Sequence, residues 1–219
     1  MIAEQLITDA IAPLKITDSG EMALDMMSEF GVRHLPLVKA GELIGVISEE
    51  DALNFNLPES LDSYPALLPR PHVRTSDHIY EIIHVLSHFE LTLVPVLDAD
   101  QRYVGCITLE TLFFQFSKMT SFSEPGCIVV LELNKRDYSL TEISRIVESE
   151  QTSVLSSFVT SYPDSPRMEV TLKLNKQHVQ YLLHTFERFK YVVKAVYQET
   201  ESLEELQERY DSLLAYLNV

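Results

Sequence analysis

Residues 45–51 read GVISEED and residues 105–111 read GCITLET. Each phrase runs glycine, apolar residue, isoleucine, hydroxyl residue, two variable positions and a last one, which is Asp51 in the first copy and Thr111 in the second. A phrase that recurs after about 60 residues signals an internal duplication. Upstream the match continues. HLPLVKAGELIGVISEED (34–51) lies over LVPVLDADQRYVGCITLET (93–111), with Pro36 on Pro95, Gly45 on Gly105 and one extra residue in the second copy's turn. KAGE and DADQ read as hairpin turns between short β-rich runs. Further upstream, ITDSGEMALDMMSEFGV (16–32) lies over TSDHIYEIIHVLSHFEL (75–91). Each opens on Thr, Ser and Asp suited to capping a helix, with Glu21 or Glu81 in the first turn. Apolar residues follow at helical spacing: Met22, Met26 and Phe30, then Ile79, Ile82, Ile83, Leu86 and Phe89. DALNF and ETLFFQF after the two phrases read as a second helix in each copy, so the unit is β-α-β-β-α. One unit of about 55 residues buries little surface by itself. Two packed face to face bury more and create a cleft.

Bulk properties set the limits. The chain has 219 residues, 46% of them apolar, and a formal net charge of −16. That charge argues against nucleic acid as a partner, because duplex binding relies on Lys and Arg neutralising phosphates. No apolar run approaches the roughly 20 residues of a membrane span. MIAEQLITDAIAPL has no basic region ahead of an apolar core, so no signal peptide is expected. Cys106 and Cys127 sit in apolar strand-like runs and read as buried thiols of a reducing cytoplasm.

Beyond SKMTSFSEPG (117–126) the composition changes. CIVVLEL (127–133) reads as a strand, SLTEISRIVESE (139–150) as an amphipathic helix opened by Ser139 and Glu142, and TSVLSSFVTSYP (152–163) and RMEVTLKL (167–174) as strands. NKQHVQYLLHTFERF (175–189) reads as a helix and YVVKAVYQ (191–198) as a strand. The order βαββαβ is ferredoxin-like. In the tail, Leu203, Leu206, Tyr210, Leu213 and Leu217 form an a/d stripe. It suits either a helix packed on its own domain or a partner seam.

The duplicated unit resembles the CBS domain pair, or Bateman module, over roughly residues 6–118, on LPLV and VPVL, the hairpins and the two phrases. Residues 126–198 look like an ACT domain, and the combination is similar to accessory proteins of the acetoin-utilization family. The expected class is α+β: two β-α-β-β-α repeats (1–60 and 61–118), a linker (119–125), a ferredoxin-like ACT-like domain (126–198) and a tail helix (199–219). The resemblance implies a cleft for an adenosine-containing ligand such as AMP, ADP, ATP or S-adenosylmethionine. It assigns the ribose hydroxyls to Asp51, with Ser48 beside it. It assigns the phosphates to Arg33 and His34, and the base to walls at Thr75, Asp77, Leu91 and Thr92.

Chemistry supports the first assignment, since one carboxylate can accept from both hydroxyls of a diol. Asp51 suits a plain helix cap equally well. The second copy departs from the pattern: Thr111 replaces Asp51, Thr92-Leu93 replaces Arg33-His34, and Glu90 replaces Gly31. A site at Thr108 and Thr111 is therefore expected to bind a nucleotide weakly or not at all. In the ACT-like part the turn NKRDYSL (134–140) has Tyr138-Ser139 where Pro-Gly is the family's pattern, which favours a dimerising sheet over an amino-acid site.

No Walker loop, GxSxG or GxGxxG is present. His84 and His88 share a helix face with Glu81 but lack a further ligand at metal spacing. The sequence thus predicts a cytoplasmic, homodimeric, non-catalytic regulator of a partner enzyme that senses an adenine nucleotide. The alternative is a ligand-free interaction module that docks on such an enzyme.

Overall fold

The structure, a computed structural model, describes residues 1–64, 68–119, 121, 122 and 124–198; the tail read as a helix, 199–219, lies outside them. The chain divides into two compact units, Met1–Phe116 and Ser117–Val219.

In the first unit the order is β1 (Leu14–Lys15), α1 (Gly20–Phe30), β2 (His34–Lys39), β3 (Glu42–Ser48) and α2 (Glu49–Asn54). It repeats as β4 (Val73–Arg74), α3 (Ile79–His88), β5 (Leu93–Leu97), β6 (Tyr103–Thr108) and α4 (Leu109–Met119). Each repeat makes a three-stranded sheet, β1-β2-β3 or β4-β5-β6, with a parallel first pair and an antiparallel hairpin. Ser19 caps α1 by accepting the Met22 N–H at 3.2 Å, and Gly31 ends it at φ 64°. Glu90 stands at the matching place after α3 with φ 52°, so a carboxylate-bearing residue takes a backbone shape that glycine adopts more easily.

Pro36 and Pro95 sit inside the middle strands, where proline is normally excluded. The pairing explains both. Pro36 faces Val46 and Pro95 faces Cys106. The N–H of Val46 points outward to Pro69 O at 2.9 Å, and that of Cys106 to Thr8 O at 3.3 Å. These are therefore non-hydrogen-bonded positions of the hairpins. The short first strands begin to pair only at Leu37 and Val96, so neither sheet needs the missing donor.

The repeats exchange their leading segments. Ala3 and Leu6, at the start of the chain, are buried in the core of the second repeat with Ile79, Ile82, Val94 and Ile107. Ala3 and Glu4 donate to the carbonyls of Asp77 and Thr75, at 2.8 and 3.0 Å. Leu61, from the connection between repeats, is buried in the core of the first with Leu35, Leu37 and Ile47. The sheets interlock too: Val46 packs in the second core, while Leu93 and Cys106 pack in the first. A division at residue 60 therefore separates the repeats along the chain but not in space.

The second unit contains β7 (Cys127–Asn134), α5 (Leu140–Ser149), β8 (Val154–Ser161), β9 (Arg167–Leu174), α6 (Gln180–Arg188) and β10 (Val192–Gln198). Its antiparallel sheet has the order β10-β7-β9-β8, which is the ferredoxin-like arrangement. Val129, Leu131, Val170 and Leu172 alternate inward against Ile143, Val147, Leu182 and Phe186. The helix expected over 175–189 starts only at Gln180. Asn175 remains bound to the end of the sheet, its N–H donating to Ser153 O at 3.2 Å and its side chain accepting the Ser153 N–H at 2.8 Å. Both cysteines are buried free thiols, and burial pushes each up to about 11. Among the described residues no helix is long and apolar enough to cross a membrane.

The glycine of each repeated phrase lies where the exchanged segment crosses its strand. A Cβ on Gly45 would stand 2.5 Å from Leu68 Cβ, and one on Gly105 would stand 2.5 Å from Ile7 Cγ2. Gly45→Ala is expected to destabilise the protein by about 1–3 kcal/mol, the usual cost of overpacking a filled site. A urea unfolding midpoint equal to that of the wild type would show that the crossing segment yields freely.

Candidate functional site

Two clefts open where the strand heads and helix heads of the repeats meet. Each is built alike. The N–H of Glu49, first in α2, donates to the carbonyl of Arg33 at 2.9 Å, and that of Leu109, first in α4, donates to the carbonyl of Thr92 at 2.9 Å. These bonds hold each helix start beside the head of β2 or β5.

The first cleft, of about 360 Å³, is lined by Arg33, His34, Ser48, Glu49, Glu50, Phe89 and Glu90. Asp51 stands behind Ser48 in a reciprocal cap. The N–H and hydroxyl of Ser48 both donate to Asp51 Oδ2, at 2.9 and 2.6 Å, and the N–H of Asp51 donates to Ser48 Oγ at 3.0 Å. The same cap recurs in the second repeat without a carboxylate. There the N–H of Thr111 donates to Thr108 Oγ1 at 3.0 Å, and the two hydroxyls lie 2.9 Å apart. Capping therefore accounts for a polar residue at this position in both phrases. The charge of Asp51 is what the first alone adds.

His34 joins the two repeats. Its Nδ1 accepts the Thr92 N–H at 3.2 Å and lies 3.1 Å from Thr92 Oγ1, which in turn accepts the Arg33 N–H at 3.0 Å. An acceptor at Nδ1 places the ring proton on Nε2. Burial, then the Arg33 guanidinium, hold this imidazole below the ordinary value of 6.5, opposed by the nearby Asp51 carboxylate. His34 is accordingly neutral at neutral pH and serves as a junction between repeats, not as a second cation.

The second cleft, of about 870 Å³, is larger and less polar. Thr8, Thr92, Thr108 and Thr111 line it together with Ile11, Phe30, Val32, Leu109 and Phe113, and its charged residues are Glu29 and Glu110. The departures of the second phrase have thus removed charge from the site without closing it.

Of the residues singled out from sequence, Arg33, His34, Ser48, Asp51 and Thr92 come together. Three do not. Thr75 and Asp77 line none of these clefts, because the exchanged N-terminal segment docks on their carbonyls. Leu91 is 7% exposed and belongs to the second core. Phe89 and Glu90 take the place expected for them. The available signal was the alignment of Glu90 with Gly31, the turn that follows the first helix of each repeat. In the second unit a hollow of about 400 Å³ adjoins the turn between β7 and α5. Six of its polar groups bond in pairs: Arg167 pairs with Glu132, the Tyr191 hydroxyl donates to Glu142 at 2.9 Å, and Asn134 donates to Asp137 at 3.1 Å. Burial and Glu142 push Tyr191 up to about 12.

The model of the CBS domain family matches residues 3–57, which include Arg33, His34, Ser48 and Asp51. Among solved structures, a CBS domain pair/ACT domain protein from Thermotoga maritima is 19% identical, with 54% of this chain and 98% of that chain covered at a TM-score of 0.49. The CBS domains of a transcriptional regulator from Streptococcus pneumoniae are 18% identical, with 52% and 98% covered and a TM-score of 0.46. CBSX2 of Arabidopsis thaliana, in complex with AMP, is 23% identical, with 53% and 96% covered and a TM-score of 0.46. Residues 3–57 match the CBS domain model, and residues 73–119 repeat the order of elements found there.

Because His34 binds its proton less readily in the folded protein than in the unfolded chain, its effect on stability has a fixed sign. Stability from this group is complete above about pH 6.5, declines as the pH falls through the gap between the two values, and levels off below the folded one. Arg33, Asp51, Glu49, Glu50 and Glu90 are the charged groups that share its surroundings. His34→Leu installs the residue of the second repeat, Leu93. The drop in melting temperature between about pH 7.5 and about pH 5.5 should shrink in this variant relative to the wild type. An equal drop in both would remove His34 from the acid response.

Proposed function

We propose that the first unit is a non-catalytic, cytoplasmic sensor that takes an adenine nucleotide in the first cleft. The second unit is an ACT-like domain that holds two copies of the chain together or relays occupancy to a partner enzyme. The observation that carries this reading is that Arg33 and Ser48 line one cleft, with Asp51 bonded directly to Ser48, within the stretch that matches the CBS domain. A guanidinium at the head of β2 meets a phosphate, and a carboxylate at the head of α2 meets the ribose diol. Charge-assisted bonds of both kinds are stronger than neutral ones.

The charges narrow the ligand. Arg33 lines the cleft together with Glu49, Glu50 and Glu90, and the His34 imidazole is neutral. One guanidinium can answer one phosphate, whereas each further phosphate adds repulsion from three carboxylates. AMP is therefore favoured over ADP, and ADP over ATP. A sensor also needs the ligand to bind one arrangement of the repeats better than another. The bond from Thr92 to His34, between the repeats and at the edge of the cleft, is a contact through which such a preference can act.

A second reading, a ligand-free module that docks on an enzyme, has its own support: Leu53, Leu109 and Phe113 are 62%, 52% and 66% exposed.

Calorimetry with AMP, ADP, ATP and S-adenosylmethionine tests the first reading. Asp51→Thr retains a hydroxyl for the cap, as Thr111 does, and removes the charge. Asp51→Thr and Arg33→Ala should each weaken AMP by about 10- to 100-fold, equivalent to losing about 1.5–3 kcal/mol of charged hydrogen bonding. Unchanged AMP heats in both variants would exclude the first cleft. A melting temperature that stays flat across the whole panel would favour the docking module, because a ligand specific for the folded state must raise it.

A further inference from the structure

We propose that the second cleft binds a different class of molecule from the first: an uncharged, ring-bearing compound without phosphate. The inference goes beyond the nucleotide reading and does not depend on what the first cleft holds. It rests on the size and lining of the second cleft. At about 870 Å³ it falls within the range of small-molecule sites, commonly about 300–1,000 Å³. Its walls combine apolar side chains, Phe30, Phe113 and Ile11 among them, with threonine hydroxyls. Few polar groups on apolar walls are what orient a mostly apolar ligand, and aromatic side chains favour offset or edge-on contact with a second ring.

Electrostatics then excludes the anion. Among the described residues neither arginine nor lysine lines the cleft, while Glu29 and Glu110 do. The residue matching Arg33 is Thr92, and Thr92 is already engaged: its hydroxyl oxygen accepts the Arg33 N–H and its own N–H donates to His34. A phosphate here would lose its water and face two carboxylates with no cation in return. Hydroxyls at Thr108 and Thr111 can bond to a neutral hydroxyl or ring nitrogen at no such cost.

Adenosine and AMP make the cleanest probes, because they differ by the phosphate alone. Ala10 is exposed at the rim of the second cleft, so Ala10→Trp obstructs it without entering a core. Phe113→Glu puts a carboxylate on the wall of the same cleft at a largely exposed residue, and serves if the tryptophan variant misfolds. Calorimetry in the Arg33→Ala, Asp51→Thr background, with the phosphate and ribose contacts proposed for the first cleft both removed, is expected to show adenosine binding at least about tenfold tighter than AMP. Adenosine binding should weaken by at least about tenfold on adding Ala10→Trp or Phe113→Glu. The proposal is overturned if AMP binds this background as tightly as adenosine and loses binding with Ala10→Trp. It is also overturned if adenosine ignores both cleft variants, or gives no heat at millimolar concentration. Failure of the nucleotide reading looks different: AMP heats in otherwise wild-type protein would survive Arg33→Ala and Asp51→Thr.

Discussion

The first unit depends on a close crossing of chain over chain. Thr8 runs beside Cys106 and Pro69 beside Val46, each bonded through its backbone, and the two glycines let these segments lie directly on the strands. From this contact the rest follows. The outward N–H groups of β3 and β6 find acceptors, which leaves the hairpin partners, Pro36 and Pro95, at positions that need no donor. Residues 3–6 are delivered to one core and Leu61 to the other. The strand heads are brought close enough for His34 and Thr92 to bond.

Much of this was legible in the chain itself. The duplicated phrases, matched prolines and helical spacing gave both repeats, and alternation along 167–174 gave a strand that the structure matches residue for residue. Local patterns encode such elements because they depend on neighbours in sequence. The exchange of leading segments was not legible. MIAEQL carries no periodicity over its few residues, and its apolar positions acquire meaning only against the face of α3. The same gap explains the misplacement of Thr75 and Asp77. Their carbonyls face the N-terminal segment, and no local pattern announces that partner.

The paired clefts show how a duplication can diverge by subtraction. Both keep the cap at the start of the helix, with Ser48 and Asp51 in one and Thr108 and Thr111 in the other. The backbone bond from helix head to strand head is likewise retained. What differs is charge: the Arg33 guanidinium of one cleft and the Asp51 carboxylate behind its Ser48 are replaced at the matching positions of the other by Thr92 and Thr111. Reading the second phrase as a weaker copy of the first captured the missing charge. It did not anticipate that the vacated space would stay open and turn apolar, because cavity size depends on Phe30, Val32 and Phe113, which are scattered along the chain.

The exchanged segments also bear on biosynthesis. Residues 3–6 leave the ribosome before the rest of this unit, yet their apolar side chains have nothing to cover until α3 and β6 have been made. The first repeat in turn waits for Leu61, which follows its own last helix. Each half therefore lacks part of its core until the other has been made. The tandem unit must condense as a whole, after most of it has emerged, with long-range contacts setting the pace.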